Sequence, residues 1–305
     1  MAWAHGTTGV ASRCAPSLSA SFSTQIPGLE LLLARGYIVA ATDYPGLGTA
    51  SPHPYLVGVS EGRAVLDSVR AANRIPEAAA AARFAVWGHS QGGHAALFAG
   101  QLAPSYAPEL SLAGIAAAAP ATNLAVLLSD DLDSKAGKVM TAFAMWSWNR
   151  VYDAPLSPLL DRHAASAIDR IAADCLEGPL EGLVMLAREW LIDHDFLHGD
   201  LTTTEPWKTL LAQNTPDATS LGKPLFIAQG SADSLVLPQV TASFAESACS
   251  SGIPVTFHLG KGLDHLKIAT ESAPQATEWI SARLSGASPG DDCDKLPELR
   301  PDGTE

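Results

Sequence analysis

Phe84-Ala85-Val86-Trp87-Gly88-His89-Ser90-Gln91-Gly92 is the stretch on which the reading of this chain turns. Phe84–Trp87 is a short apolar run, the pattern of a strand covered on both faces. A helix is expected over Gly93–Ala103. Between them, Gly88-His89-Ser90-Gln91-Gly92 matches G-x-S-x-G in the strand–turn–helix setting that a nucleophile elbow requires. Such a turn forces its serine into a strained backbone conformation, and only glycine at 88 and 92 lets neighbouring chain pass so closely. The hydroxyl then stands clear of the sheet edge. The helix N-terminus behind it presents N–H groups and a positive dipole end to a developing oxyanion.

Outward from this stretch, short strands alternate with helices. Gly28–Arg35 reads as a helix stopped by Gly36. Tyr37–Thr42 reads as a strand, and Asp43-Tyr44-Pro45-Gly46-Leu47-Gly48 as a turn. Val65, Leu66, Val69 and Ala72 recur at helical spacing within Val59–Arg74. Leu112–Ala118 is another buried strand. The alternation then fails: Leu124 to about Leu221 is helix-prone and carries Phe143, Trp146, Trp148, Tyr152, Trp190, Phe196 and Trp207. It resumes with a strand from Pro224 to Ala228, a helix over Pro238–Ser251, a strand over Val255–Leu259 and a helix over Ala273–Leu284. The pattern predicts an α/β fold, a mostly parallel sheet with helices on both faces. Residues 1–123 and 223–284 are expected to form its core. Residues 124–222 are expected to form an inserted helical lid or cap, too long for a simple loop. Residues 285–305, rich in Gly, Pro and Asp, read as a surface tail.

A serine hydroxyl is a poor nucleophile without a base. On this architecture the acid and then the histidine follow the serine, each just past a later strand. Gln229-Gly230-Ser231-Ala232-Asp233 directly follows the first resumed strand, and Gly260-Lys261-Gly262-Leu263-Asp264-His265 directly follows the next. Ser90, Asp233 and His265 are therefore the expected triad. Asp264 is a weaker rival for the acid, because adjacent side chains rarely reach the orienting geometry. Asp43 ends a strand but precedes the serine, and reads as a turn cap. His258 lies within a strand, and His89 and His94 flank the elbow; all three read as packing residues. His5-Gly6-Thr7-Thr8-Gly9 follows a strand end at Ala2–Ala4. An HG-type turn there supplies one oxyanion N–H, from Thr7 or Thr8, and Gln91 supplies the second.

Composition sets the limits of this reading. The chain has 305 residues, 47% hydrophobic and 17% charged, which excludes a disordered chain. No run of about 18 apolar residues occurs, so no membrane-spanning helix is expected. The formal charge of −13 argues against polyphosphate and nucleic-acid ligands, which need clustered cations. It also disfavours anionic bilayers, although contact with a lipid surface remains open. No Walker A loop is present, and no G-x-G-x-x-G follows a strand, so no cofactor is expected. His194-Asp195-Phe196-Leu197-His198 resembles the zinc motif H-E-x-x-H, but Asp replaces Glu and no third ligand is evident. Two polar histidines on a lid helix is the reading adopted, with no metal. Cys14, Cys175, Cys249 and Cys293 form no C-x-x-C and permit either free thiols or two disulfides in any of three pairings. The chain opens directly in a motif with no signal-peptide pattern. A longer precursor is therefore expected to carry further residues before Met1.

Trp3-Ala4-His5-Gly6-Thr7-Thr8-Gly9 with Arg13-Cys14-Ala15-Pro16-Ser17 resembles the secretory lipase family of α/β-hydrolases, the lipase-A-like fungal and actinobacterial enzymes. Further matches are Ala41-Thr42-Asp43-Tyr44-Pro45-Gly46-Leu47-Gly48, Gly88-His89-Ser90-Gln91-Gly92-Gly93 and Gln229-Gly230-Ser231-Ala232-Asp233, so the likeness spans nearly the whole chain. Family members have further strands before the HG-type turn, and Leu263-Asp264-His265 is a weaker local match than the elbow. The resemblance implies an α/β-hydrolase fold with a helical lid in the long interruption. It implies hydrolysis of a carboxylic ester by Ser90, Asp233 and His265; the substrate expected is a small-molecule ester of short to medium acyl chains. It also implies Cys14–Cys175 and Cys249–Cys293 disulfides and an exported protein. The same triad serves acyl transfer or amide hydrolysis, and a non-catalytic binding module on this fold is a further alternative. Oligomeric state is left open.

Overall fold

The computed structural model describes residues 1–129, 134–176 and 197–299. At its centre is a six-stranded sheet in the order β2-β1-β3-β4-β5-β6, parallel at every pairing. The strands are β1 (Ala2–Ala4), β2 (Ala40–Ala41), β3 (Arg83–His89), β4 (Ser111–Ala118), β5 (Leu225–Gly230) and β6 (Val255–Gly260). The α-helices described are α1 (Leu29–Ala34), α2 (Gly58–Asn73), α3 (Gln91–Tyr106), α4 (Leu124–Ser129), α5 (Lys135–Val151), α6 (Arg162–Ala172), α7 (Trp207–Gln213), α8 (Pro238–Ser250), α9 (Lys267–Glu271) and α10 (Ala273–Leu284). Among the described residues no helix is long and apolar enough to cross a membrane.

The two-residue period of the strands divides the core. Phe84 and Val86 of β3 face Val65, Leu66 and Val69 of α2 and Ala95, Ala96 and Ala99 of α3. Ala85 and Trp87 face the opposite way, onto Ala276, Trp279 and Ile280 of α10. Both faces of the sheet are thus covered, which is why its strands read as unbroken apolar runs. The register slips between the pairs Phe84–Leu112 and Val86–Ile115. One extra β4 residue therefore lets Leu112 and Ile115 join the same core.

The expected strand over Tyr37–Thr42 is the main departure. Only Ala40–Ala41 pairs, against Ala2 and Trp3. The segment lies at the sheet edge, and its one neighbour is itself three residues long, so the ladder runs out after two pairs. The other expected strands and sheet-flanking helices are found with ends shifted by a few residues.

Between β4 and β5 the chain forms α4, α5, α6 and α7. These helices bury a core of their own, in which Phe143, Trp148 and Trp207 are inaccessible or nearly so and Tyr55 and Leu56 join from the loop before α2. The Trp148 and Trp207 rings stack at 6.0 Å, and their indole N–H groups donate to the carbonyls of Tyr55 and Pro155. Trp146 is partly buried against this core, under the Arg150 guanidinium. Trp190 and Phe196 lie outside the described residues.

Two disulfides are formed, Cys14–Cys175 and Cys249–Cys293, closing sequence separations of 161 and 44 residues. The first ties the segment after β1 to the end of α6. An antiparallel bridge between Gly9 and Cys175, and a Leu176 N–H donated to the Thr8 carbonyl at 2.8 Å, run beside it. Closing the longer loop removes more freedom from the unfolded chain. Replacing Cys14 and Cys175 by Ser is therefore expected to cost about 2–5 kcal/mol, and more than the same change at Cys249 and Cys293. Urea unfolding of the two double variants checks the order.

Candidate active site

Ser90 sits between β3 and α3 with φ 55° and ψ −117°, outside the regions a side chain adopts without strain. Its N–H donates to the Ala118 carbonyl at 2.9 Å, and its own carbonyl accepts the His94 N–H at 3.0 Å. These bonds hold the strained residue at the carboxyl edge of the sheet. The flanking glycines explain themselves sterically. A Cβ on Gly88 would overlap the Gly92 carbonyl, and one on Gly92 would overlap the Ala4 carbonyl at the end of β1. Gln91 opens α3, so its N–H lies outside the helix's own hydrogen-bond ladder.

The loops after β5 and β6 are laced together. Ser231 N–H donates to the Gly260 carbonyl and Ala232 N–H to the Leu263 carbonyl, while Gly262 N–H donates to Ser231 Oγ. This brings Asp233 Oδ2 to 2.8 Å from His265 Nδ1, and His265 Nε2 to 2.9 Å from Ser90 Oγ. Asp233 is buried, and its Oδ1 accepts the N–H groups of both Leu235 and Val236 at 2.9 Å. Gln229 Nε2 donates to Oδ2 at 3.2 Å. With the carboxylate as acceptor, Nδ1 of His265 carries the proton. Nε2 is then left to accept from the serine hydroxyl.

Two partners of this chain escaped the sequence reading. Gln229 is buried and anchors the Asp233 carboxylate. His89, read there as a packing residue, donates from Nε2 to the His265 carbonyl at 2.8 Å, with the two rings 4.9 Å apart. Burial, reinforced by the adjacent His265, pushes the His89 pKa down to about 3, so it stays a neutral strut. Sequence carries no sign of either bond, because each depends on where a distant loop returns.

The other candidates fall away from the chain. Asp264 is about half exposed and faces Lys267, whose backbone N–H it accepts at 2.9 Å. It caps α9. Asp43 accepts from the N–H and hydroxyl of Ser17, a turn cap as read. His258 is only partly buried on β6, and its pKa is lowered by burial. His94 is fully buried beside Glu61. His198 is exposed, with Nε2 3.7 Å from Asp161 Oδ2, and His194 and Asp195 lie outside the described residues.

The segment after β1 runs over the elbow. A Cβ on Gly6 would come within 3.3 Å of the His89 ring and 3.9 Å of Ser90 Cβ. His5 Nδ1 donates to the Gly6 carbonyl at 2.6 Å, and Tyr44 OH to the His5 carbonyl at 3.1 Å. Thr7 Oγ1 pairs with Tyr55 OH at 3.0 Å, while Thr8 is buried with its carbonyl taken by Leu176. Thr7, Thr8 and Gln91 thus lie in the two segments that border Ser90.

Comparison with known proteins identifies the fold and the family. Lipase 5 of Candida albicans is 28% identical over 316 aligned residues, covering 93% of this chain and 64% of that protein. "Probable inactive lipase MT1628" of Mycobacterium tuberculosis is 26% identical, covering 91% of this chain and 64% of its own. The chain thus spans a little under two thirds of the length of these relatives. The crystal structure of Candida antarctica lipase A superposes with a TM-score of 0.74 at 21% identity, over 96% of this chain and 72% of that one. The fold is that of the α/β-hydrolases. A family model described as Secretory lipase matches residues 15–292, nearly the whole chain, and the chain belongs to the secretory lipase family.

Proposed function

We propose that this chain hydrolyses carboxylic esters through an acyl-enzyme, with Ser90 as nucleophile, His265 as base and Asp233 as the acid that orients it. The observation that carries this reading is the unbroken run of hydrogen bonds from Asp233 Oδ2 through both nitrogens of His265 to Ser90 Oγ. As Oγ attacks the ester carbonyl, its proton passes to His265 Nε2. Asp233 stabilises the imidazolium and holds its tautomer. The N–H of Gln91 and that of Thr7 or Thr8 receive the oxyanion, each worth about 3–4 kcal/mol in the transition state. The C–O bond to the leaving alcohol breaks as Nε2 returns the proton to it. Water then attacks the acyl-serine by the same route and releases the acid.

Residues 124–222 act in this reading as a lid or cap over the ester site. Phe143, Trp148 and Trp207 are buried in that segment's own core, which supports short to medium acyl chains in this reading. The two disulfides support an exported protein, since such bonds persist in oxidising compartments.

The test is labelling by an organophosphonate and turnover of p-nitrophenyl esters from acetate to palmitate. We expect stoichiometric modification of Ser90 and a maximum at butyrate to octanoate. An unlabelled serine would remove the reading. A matched anilide cleaved as fast as the ester would move it to amide hydrolysis. An added alcohol that captured most of the acyl group would move it to acyl transfer.

A further inference from the structure

Behind the elbow lies a set of buried polar side chains that the reaction as proposed does not use. Glu61 of α2 is wholly inaccessible. Its Oε1 accepts the Leu56 N–H at 2.9 Å and Gln91 Nε2 at 2.7 Å. Its Oε2 lies 2.8 Å from His94 Nδ1. His94 Nε2 meets the Asn214 carbonyl at 2.7 Å, and a carbonyl only accepts, so that nitrogen bears a proton. A single proton therefore lies between Glu61 Oε2 and His94 Nδ1. Gln91 Nε2 is also 3.2 Å from His53 Nε2. His53 in turn donates from Nδ1 to the Pro45 carbonyl at 2.9 Å, which leaves Nε2 as a lone-pair acceptor. Burial pushes the His53 pKa down to about 4, which keeps it neutral. Both amide protons of Gln91 are thus committed, one to Glu61 and one to His53, while its Oε1 is buried without a partner.

Packing alone does not call for this arrangement. Helices α2 and α3 already meet backbone to backbone, since a Cβ on Gly62 would come within 2.9 Å of the Ala99 nitrogen. A buried carboxylate is costly unless its oxygens are filled, and here donors from two separate segments, the loop before α2 and the first turn of α3, converge on it. The side chain they fasten belongs to the residue directly after Ser90, whose backbone N–H borders the reacting centre. We propose that Glu61 is a positioning residue: by gripping the Gln91 side chain it aims the Gln91 backbone N–H at the oxyanion of the ester intermediate. The proposal rests on the ester-hydrolase reading above. It predicts an effect confined to the transition state, because a donor aimed at the oxyanion contributes little to ground-state binding.

Three variants test it, with kcat expressed per serine titrated to completion by the phosphonate and with p-nitrophenyl butyrate as substrate. Glu61→Ala and Gln91→Met should each lose about 10- to 100-fold in kcat, with KM within about twofold of wild type, since a small misplacement of such a donor is enough. Glu61→Gln should recover most of that loss. Its amide oxygen still accepts from Leu56 and Gln91, and its N–H donates to neutral His94. An unchanged kcat in Gln91→Met overturns the proposal, as does a Glu61→Gln variant no better than Glu61→Ala. If Glu61→Ala does not fold, Gln91→Met alone decides. A wild-type protein that the phosphonate does not label overturns the ester-hydrolase reading itself, and the positioning role with it, an outcome visible before any variant is made.

Discussion

Ser90→Ala is expected to lower kcat toward a p-nitrophenyl ester by roughly 10⁴-fold or more, with the fold unchanged. Among the described residues, the hydrogen-bond partner of His265 Nε2 is Ser90 Oγ at 2.9 Å, so removing the hydroxyl leaves the base with nothing to deprotonate but water. The strained backbone at 90 is held by Ala118 and by the close passage at Gly88 and Gly92, none of which depends on the side chain. Alanine carries the same Cβ burden there as serine, so the thermal midpoint should stay within a degree or two. What remains of the rate is water attack assisted by the N–H donors. A variant turning over at near-normal speed would place the nucleophile elsewhere.

The second large effect is expected from Asp233→Asn, about 10⁴-fold in kcat. The cause can be read from the hydrogen bonds. One oxygen of residue 233 must keep accepting from Leu235 and Val236, so an asparagine there keeps its oxygen on that side. Its NH₂ then faces His265 Nδ1 and turns that nitrogen into an acceptor. The ring proton moves to Nε2, where it opposes the serine hydroxyl instead of receiving its proton. The amide also meets Gln229 Nε2 donor against donor. Asp264→Asn is the matched control. That residue caps α9 at the surface, and its loss should leave kcat within about threefold. Comparable losses from both changes would contradict the assignment of the acid.

How much of this was legible beforehand follows from what kind of pattern each part leaves in a sequence. Strand, turn and helix around Ser90 are local, and so is the glycine spacing, which reports backbone contact directly. Asp233 and His265 could be nominated because the architecture sets their order and each follows its strand at once. The pairing of the cysteines came from likeness to a family, and the four residues taken alone left three pairings open. Ala40–Ala41 was over-read as a longer strand because an apolar run does not reveal that its neighbour is short. Glu61, His53 and Gln229 left no trace at all. A buried polar residue in a helix or loop looks the same in sequence as an exposed one. Its meaning lies in partners that arrive from elsewhere, as Asn214 does to His94 across 120 positions.

The base is delivered by β6, the last strand of the sheet, onto a serine 175 residues earlier in the chain. Any piece of this polypeptide that holds both must span that whole stretch, and pairings between parts so far apart carry the cost of ordering the intervening chain. In the reading proposed, turnover of an ester therefore requires that β6 and the loop after it have docked against the rest of the sheet.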